Sequence, residues 1–424
     1  VKSNYRYVVL GLLFLGTTIN YIDRQMIGLL KPTLETEFHW TENDYANIVF
    51  WFQAMYAIGY LLAGRFVDRV GAKIGYGVAV LLWSLAGTAH AMVRSTLGFV
   101  GARGALGFAE GGNIPSVIKS IADWFPIRER SFASGFMISG TTVGPIVAPV
   151  LVLWLANRYS WQTSFVVTGS LGLLWVAAWY FLYDKPEKCR AVDAGELAYI
   201  HSGDVFEKDN PGMIRVPIKK LLGKGPTWGY LGATLLTDPV WWFYLFWLPS
   251  YLTSSGMPKK EIGLPVTIVY AVTAVLSIAG GWLSSFLIRI NWSVNKSRKS
   301  VMLLCVCMAM SVILIRLNSN VWLAVMIIAI AATAQTIWKG VLLTTVADQF
   351  PKRVVSSVAG IGGLGGAVGG MLAAKGVGIL LDRYKFEGHI QTGYNLVFLL
   401  CGLSYIIAIS WFHFLSPELA KVDM

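Results

Sequence analysis

The run Tyr7–Leu30 reads YVVLGLLFLGTTINYIDRQMIGLL and decides the class of this chain. It exceeds the ~20 residues a helix needs to cross a bilayer, yet it carries Asp23 and Arg24. A second run, Leu97–Val117, carries Arg103 and Glu110. An ionised side chain at a bilayer centre costs about 2.5–3.5 kcal/mol on insertion scales. Such groups persist where they face a bundle interior or a water-filled cavity and find partners. Two arginines and two acids in two spans form a balanced set, which points to a substrate or proton pathway.

Outward from that run, the whole chain reads as membrane. It has 424 residues, 55% hydrophobic, with mean hydropathy +0.58 and 14% charged, against about 25% charged in soluble proteins. Apolar runs fall near 7–30, 45–66, 74–93, 97–118, 132–155 and 161–183, then near 227–253, 261–287, 300–316, 321–346, 355–380 and 394–415. This pattern predicts an all-α membrane protein of twelve transmembrane helices in two six-helix bundles. The division is 1–183 for the first bundle, 184–226 for a polar linker marked by Asp209-Asn210-Pro211-Gly212, and 227–424 for the second. Internal repeats of this kind are common in transporters. Gly360, Gly362, Gly363, Gly365, Gly366, Gly369 and Gly370 crowd one span, as expected of a close helix–helix contact in lipid.

The net charge of +12 is a topology signal. Arg65, Arg69 and Lys73, then Arg128 and Arg130, then Lys185 to Lys224, then Arg289 to Lys299, then Lys352 and Arg353 fall in alternate loops. By the positive-inside rule these loops and both termini are cytoplasmic, and a nucleic-acid partner is not expected. Four cysteines, three of them in apolar spans, give no disulfide framework. No metal-ligand, phosphate-loop or nucleophile motif stands in a sensible place, so neither an enzyme nor a cofactor is expected. The first span is too long for a secretory signal and reads as a retained helix.

Gly64-Arg-Phe-Val-Asp68-Arg69-Val-Gly71-Ala-Lys73 resembles the G-x-x-x-D-R-x-G-x-K/R loop of the major facilitator superfamily. Arg103-x-x-x-Gly107-x-x-Glu110-x-x-x-x-Pro115 resembles that superfamily's second signature. Asn20-Tyr21-Ile22-Asp23-Arg24, Phe52-Gln53 with Tyr56, Ala109-Glu110-Gly-Gly-Asn113-Ile-Pro115 and Trp124-Phe125-Pro126 are similar to the anion:cation symporters. Thr237-Asp238-Pro239-Val-Trp241-Trp242 resembles their hexuronate branch. The resemblance implies the major facilitator fold and import of an organic anion with protons by alternating access. It also implies Gly64, Asp68 and Arg69 as a conformational gate. Two places depart from the family pattern: Ile138 and Thr142 stand where relatives often carry Asn, and Gln335-Thr-Ile-Trp338-Lys339 replaces a His-Gln-Ala-Trp-Ser-like string. Lys339 is either a cation for a second anionic group or a side chain snorkelling along its helix.

At 1.5 Å per residue, Asp23 lies about 10 Å and Arg103 about 9 Å below the outer ends of their helices, so a pair is expected. Arg24 is turned ~100° from Asp23 and is the expected clamp on a substrate carboxylate, in competition with Glu110. Glu110, with Asp23 and Arg103, is the expected proton-coupling set; a purely structural salt-bridge network is the alternative. Tyr21, Tyr56, Trp241 and Trp338 are candidates for the apolar faces of a sugar. Gln53, Asn113 and Gln335 are candidates for its hydroxyls. Trp247, near the outer boundary, reads as an interface-belt residue.

The function expected is a proton-coupled symporter for a sugar acid, foremost a hexuronate. The alternatives are another organic anion (an aldonate such as galactonate, glucarate, an aromatic carboxylate) or a proton-coupled efflux antiporter, for which Gly144-Pro145 is the only hint. The expected setting is the bacterial inner membrane, as a monomer.

Overall fold

A computed structural model describes residues 4–202, 217–317 and 320–422. The linker turn Asp209–Gly212 and the side chains of Arg128, Lys352 and Arg353 lie outside the described residues. All regular structure among the described residues is helical. The helices are α1 (Tyr5–Phe38), α2 (Glu42–Val70), α3 (Ala72–Ala89), α4 (Thr96–Glu110), α5 (Asn113–Trp124), α6 (Ile127–Arg158), α7 (Trp161–Leu182), α8 (Ala194–Ile200) and α9 (Ile218–Leu222). There follow α10 (Gly225–Ser254), α11 (Gly263–Arg289), α12 (Val294–Met310), α13 (Val321–Gln349), α14 (Lys352–Phe386) and α15 (Ile390–Leu415).

Nine helical segments among the described residues are long and apolar enough to cross a membrane, against the twelve expected. The other three expected spans are helical too, as α1, α4 with α5, and α10. The fourth is interrupted: α4 ends at Glu110 and α5 begins at Asn113. Pro115 has no N–H to offer the Gly111 carbonyl, so the ladder loses a rung there. The joint at Gly71 has φ +82°, a positive value that glycine adopts freely and that lets a single residue separate the end of α2 from the start of α3.

The chain divides into two compact units, Val1–Phe38 with Trp51–Met213 and His39–Phe50 with Ile214–Met424. In the first, α1 packs on α6 and α3 packs on α7. Close approach of α2 and α4 depends on glycine: a Cβ on Gly107 would lie 2.3 Å from the Phe52 carbonyl oxygen, and one on Gly111 would lie 2.4 Å from the Tyr60 nitrogen. In the second unit α10 packs on α14 and α11 on α13. The glycine-rich span acts there as a packing face, since a Cβ on Gly369 would lie 2.2 Å from the Leu235 carbonyl oxygen while Gly360 and Gly363 face open space.

Residues 39–50, which the sequence division placed in the first bundle, make their contacts with the second unit. Asp382 on α14 accepts from the Glu42 and Asn43 amides at 2.6 and 2.8 Å, capping the α2 N-terminus from a distant helix. Tyr45 donates to the Phe246 carbonyl at 2.9 Å.

Candidate functional site

Asn20, Tyr21 and Arg24 share one face of α1, one turn apart, and the charge signal in that span resolves into a specific pair. Arg24 Nε donates to Glu110 Oε2 at 2.9 Å, and its Nη2 donates to Asn20 Oδ1 at 3.2 Å. The guanidinium lies 4.7 Å from the Tyr21 ring centre and 4.6 Å from that of Tyr56, with Phe52 at 5.7 Å. Arg24 and Glu110 are buried, while Tyr21 and Tyr56 are partly exposed. Glu110 Oε1 accepts no hydrogen bond among the described residues. A planar cation between aromatic faces, held by one oxygen of a carboxylate, is suited to exchanging that carboxylate for another.

Asp23 and Arg103 meet differently from the side-chain pair the depths suggested. Arg103 Nη1 donates to the main-chain oxygen of Asp23 at 3.4 Å, and neither Asp23 carboxylate oxygen has a hydrogen-bond partner among the described residues. The depths agree, but helix rotation turns the Asp23 carboxyl away from the Arg103 hydrogen bond. A fully buried carboxyl without a donor is expensive when ionised.

Other candidates divide by what already satisfies them. Gln53 is buried with both amide atoms unpartnered among the described residues, so it retains its hydrogen-bonding capacity. Asn113 is already engaged: its Oδ1 accepts from Tyr76 at 2.7 Å. Gly64 faces open space, and Asp68 and Arg69 are exposed. No hydrogen bond or ion pair holds either charge among the described residues.

The second unit holds its own polar cluster. Lys339 on α13 donates to Asp238 Oδ2 on α10 at 3.1 Å, with 62% of the lysine side chain exposed against 10% of the aspartate's. Gln335 donates to Asp238 Oδ1 at 3.3 Å and accepts from the Tyr405 hydroxyl. Trp338 is fully buried, edge-on to Tyr405 at 5.3 Å, and half-buried Trp241 stands edge-on to Tyr270. Gln335 and Trp338 are thus tied into this cluster instead of facing open space. Trp247 is not a belt residue: it is 1% exposed, and its Nε1 donates to Glu42 Oε2 at 3.3 Å. The sequence motifs include Asp238 and Asn20 without giving either a role at the site, and nothing in the sequence marked Tyr405. For Asp238 the signal was present, a charge in an apolar span, as for Asp23.

The Major Facilitator Superfamily pattern matches residues 13–374. The chain belongs to the Major Facilitator Superfamily. It is a multi-pass membrane transporter and not an enzyme. It is 30% identical to the hexuronate transporter of Escherichia coli K12, over 90% of this chain and 89% of that protein. It is 32% identical to the galacturonate transporter of Dickeya chrysanthemi, over 66% of this chain and 81% of that one. It is 27% identical to the D-galactonate transporter of Escherichia coli O6:H1, over 95% of each. Among solved structures, it is similar in fold to a bacterial homologue of the human lysosomal transporter Spinster, with TM-score 0.80 over 98% of each chain at 17% identity. A D-xylose-proton symporter matches with TM-score 0.74 at 15% identity, over 99% of this chain and 100% of that one.

Proposed function

We propose that this superfamily member is a proton-coupled symporter that imports an organic acid, foremost a hexuronate, by alternating access. The observation that carries the reading is Arg24, buried between tyrosine rings and bonded to one oxygen of Glu110. The names of the relatives supply the substrate class, since they carry hexuronate, galacturonate and galactonate. The substrate carboxylate takes over the Arg24 fork. Glu110 then faces a low-dielectric interior without its counter-charge and takes a proton. Substrate binding and protonation therefore favour each other. Tyr21 and Tyr56 cover the sugar ring and Gln53 serves a hydroxyl. Asp23 and Arg103 form a second titratable element, and Gly64, Asp68 and Arg69 act in the conformational change. Basic loops and bacterial relatives support an inner-membrane setting with both termini cytoplasmic, and the working unit is a monomer.

One observation favours a second substrate reading. Lys339 keeps 62% of its side chain exposed while it bonds to Asp238, a position that suits an additional carboxylate and favours an aldarate; relatives named as probable galactarate/D-glucarate transporters match over 99% of this chain. Uptake into proteoliposomes decides between these readings. Glucuronate or galacturonate uptake is expected to rise with an inward proton gradient and to be unaffected by glucose. Competition by glucose as strong as by glucuronate overturns the anion assignment, and stronger competition by galactarate than by glucuronate selects the diacid.

A further inference from the structure

Between the start of α12 and the end of α15 lies a groove of about 390 Å³, lined by Trp292, Asn295, Lys296, Lys299, Leu303 and His413, among others. No acid lines it. Of the three basic residues that open α12, Arg298 turns away to pair with Asp348 at 3.0 Å. The other two face the groove, and neither has an ion-pair partner among the described residues. Lys299 Nζ bonds to neutral acceptors, His413 Nδ1 at 2.9 Å, the Ser416 carbonyl at 2.8 Å and the Pro417 carbonyl. Glu418, exposed just beyond Pro417, acts on Lys299 through space without lining the groove.

Three features of the walls add to the charge. Asn295 Oδ1 is buried and receives no hydrogen bond among the described residues, while its Nδ2 donates to the Pro417 carbonyl at 3.5 Å. Trp292 is 43% exposed, the habit of an aromatic at a membrane boundary. Leu303, two turns into a membrane-spanning helix, is 56% exposed. Unfilled acceptor, cationic pair and apolar exit follow one another along α12 as Asn295, Lys296 with Lys299, and Leu303, in the order headgroup hydroxyl, phosphate, acyl chain.

We propose that this groove seats an anionic glycerophospholipid with a hydroxyl-bearing headgroup. The phosphate sits on Lys296 and Lys299, the hydroxyl donates to Asn295 Oδ1, and the acyl chain leaves along Leu303. The charge complement is a phosphate, which free inorganic phosphate shares; the exposed leucine and tryptophan select the lipid. The site lies wholly within the second unit and does not depend on what the transporter carries.

Native mass spectrometry of the purified full chain in neutral detergent tests it, with phosphatidylglycerol and phosphatidylcholine of identical acyl chains. The wild-type protein is expected to retain phosphatidylglycerol about 5-fold better, and Lys296→Gln to bring the two lipids to near parity. Leu303→Asn is expected to weaken both lipids alike. Lys299 is left in place because it ties the end of α15. An unchanged lipid preference in Lys296→Gln overturns the site. Displacement of phosphatidylglycerol by millimolar inorganic phosphate overturns the lipid and leaves a soluble-anion site.

Discussion

Arg24 has two jobs that a lysine cannot do together. Its planar fork can present parallel donors to a carboxylate, and its face lies against Tyr21 and Tyr56. A lysine keeps the charge but loses the plane. Arg24→Lys is therefore expected to lower substrate affinity at least ~10-fold, about 1.4 kcal/mol, measured by equilibrium binding; unchanged affinity removes the bidentate clamp. Truncation to alanine is worse for the fold, because Glu110 is then left buried without its partner, a loss of about 3–5 kcal/mol. Glu110→Gln keeps the shape and imitates the protonated acid. It should still bind substrate, with weaker pH dependence, and exchange substrate across the membrane while losing accumulation driven by a pH gradient. If that variant still concentrates substrate in acidified medium, Asp23, whose carboxylate oxygens meet no donor among the described residues, becomes the carrier to test next.

Helices here are positioned by what is missing from them as much as by what they carry. Gly107→Ala would drive a methyl into the Phe52 carbonyl of α2. Overpacking of this kind costs about 1–3 kcal/mol, so a lower thermal unfolding midpoint is expected. Gly101→Ala, on the same helix but facing open space, should raise stability slightly through helix propensity. At the start of α2, Asp382→Ala removes the acceptor of two amides. Hydrogen exchange at Glu42 and Asn43 should then accelerate ~5-fold, in line with about 1 kcal/mol for a lost cap; unchanged exchange means the cap is idle. A third contact adds a pH dependence. The Lys73 ammonium, 2.9 Å from Asp184 at the end of α7, holds the Asp184 carboxyl below its ordinary range. A depressed acid stabilises the fold above the ordinary carboxylate pKa and loses that contribution as pH falls through the depressed value. Lys73→Gln should flatten that acid limb of the stability profile, by little because the pair is partly exposed.

At the scale of the whole molecule, each unit has, among its ion pairs, one that joins the first and fourth spans of its half. Arg24 on α1 meets Glu110 on α4, and Asp238 on α10 meets Lys339 on α13. The signs are exchanged between the halves, so the repeat is one of position and not of chemistry. Replacing both members of the second pair, as Asp238→Asn with Lys339→Gln, should impair uptake less than the sum of the single changes, because each single change leaves a charge without its partner. Simple additivity in uptake rate would mean that the pair does not act as a unit.

The sequence by itself determined the solvent, the helical class, the two-part organisation of apolar spans and the charges that lie inside them. These follow from local quantities, run length and the cost of a charge in hydrocarbon, which need no knowledge of neighbours. It also brought Arg24 and Glu110 into consideration together, since a guanidinium fork and a carboxylate match chemically. Rotation about each helix axis was decided only by packing. That rotation gives Asp23 a main-chain contact with Arg103 instead of a side-chain pair, places Trp247 in the interior, and engages Gln335 and Asn113 with Tyr405 and Tyr76. The contacts of residues 39–50 with the second unit depend on Asp382, more than three hundred residues away in sequence, which no local pattern encodes. Hydropathy tells a residue how deep it lies, and only the tertiary contacts tell it which way to face.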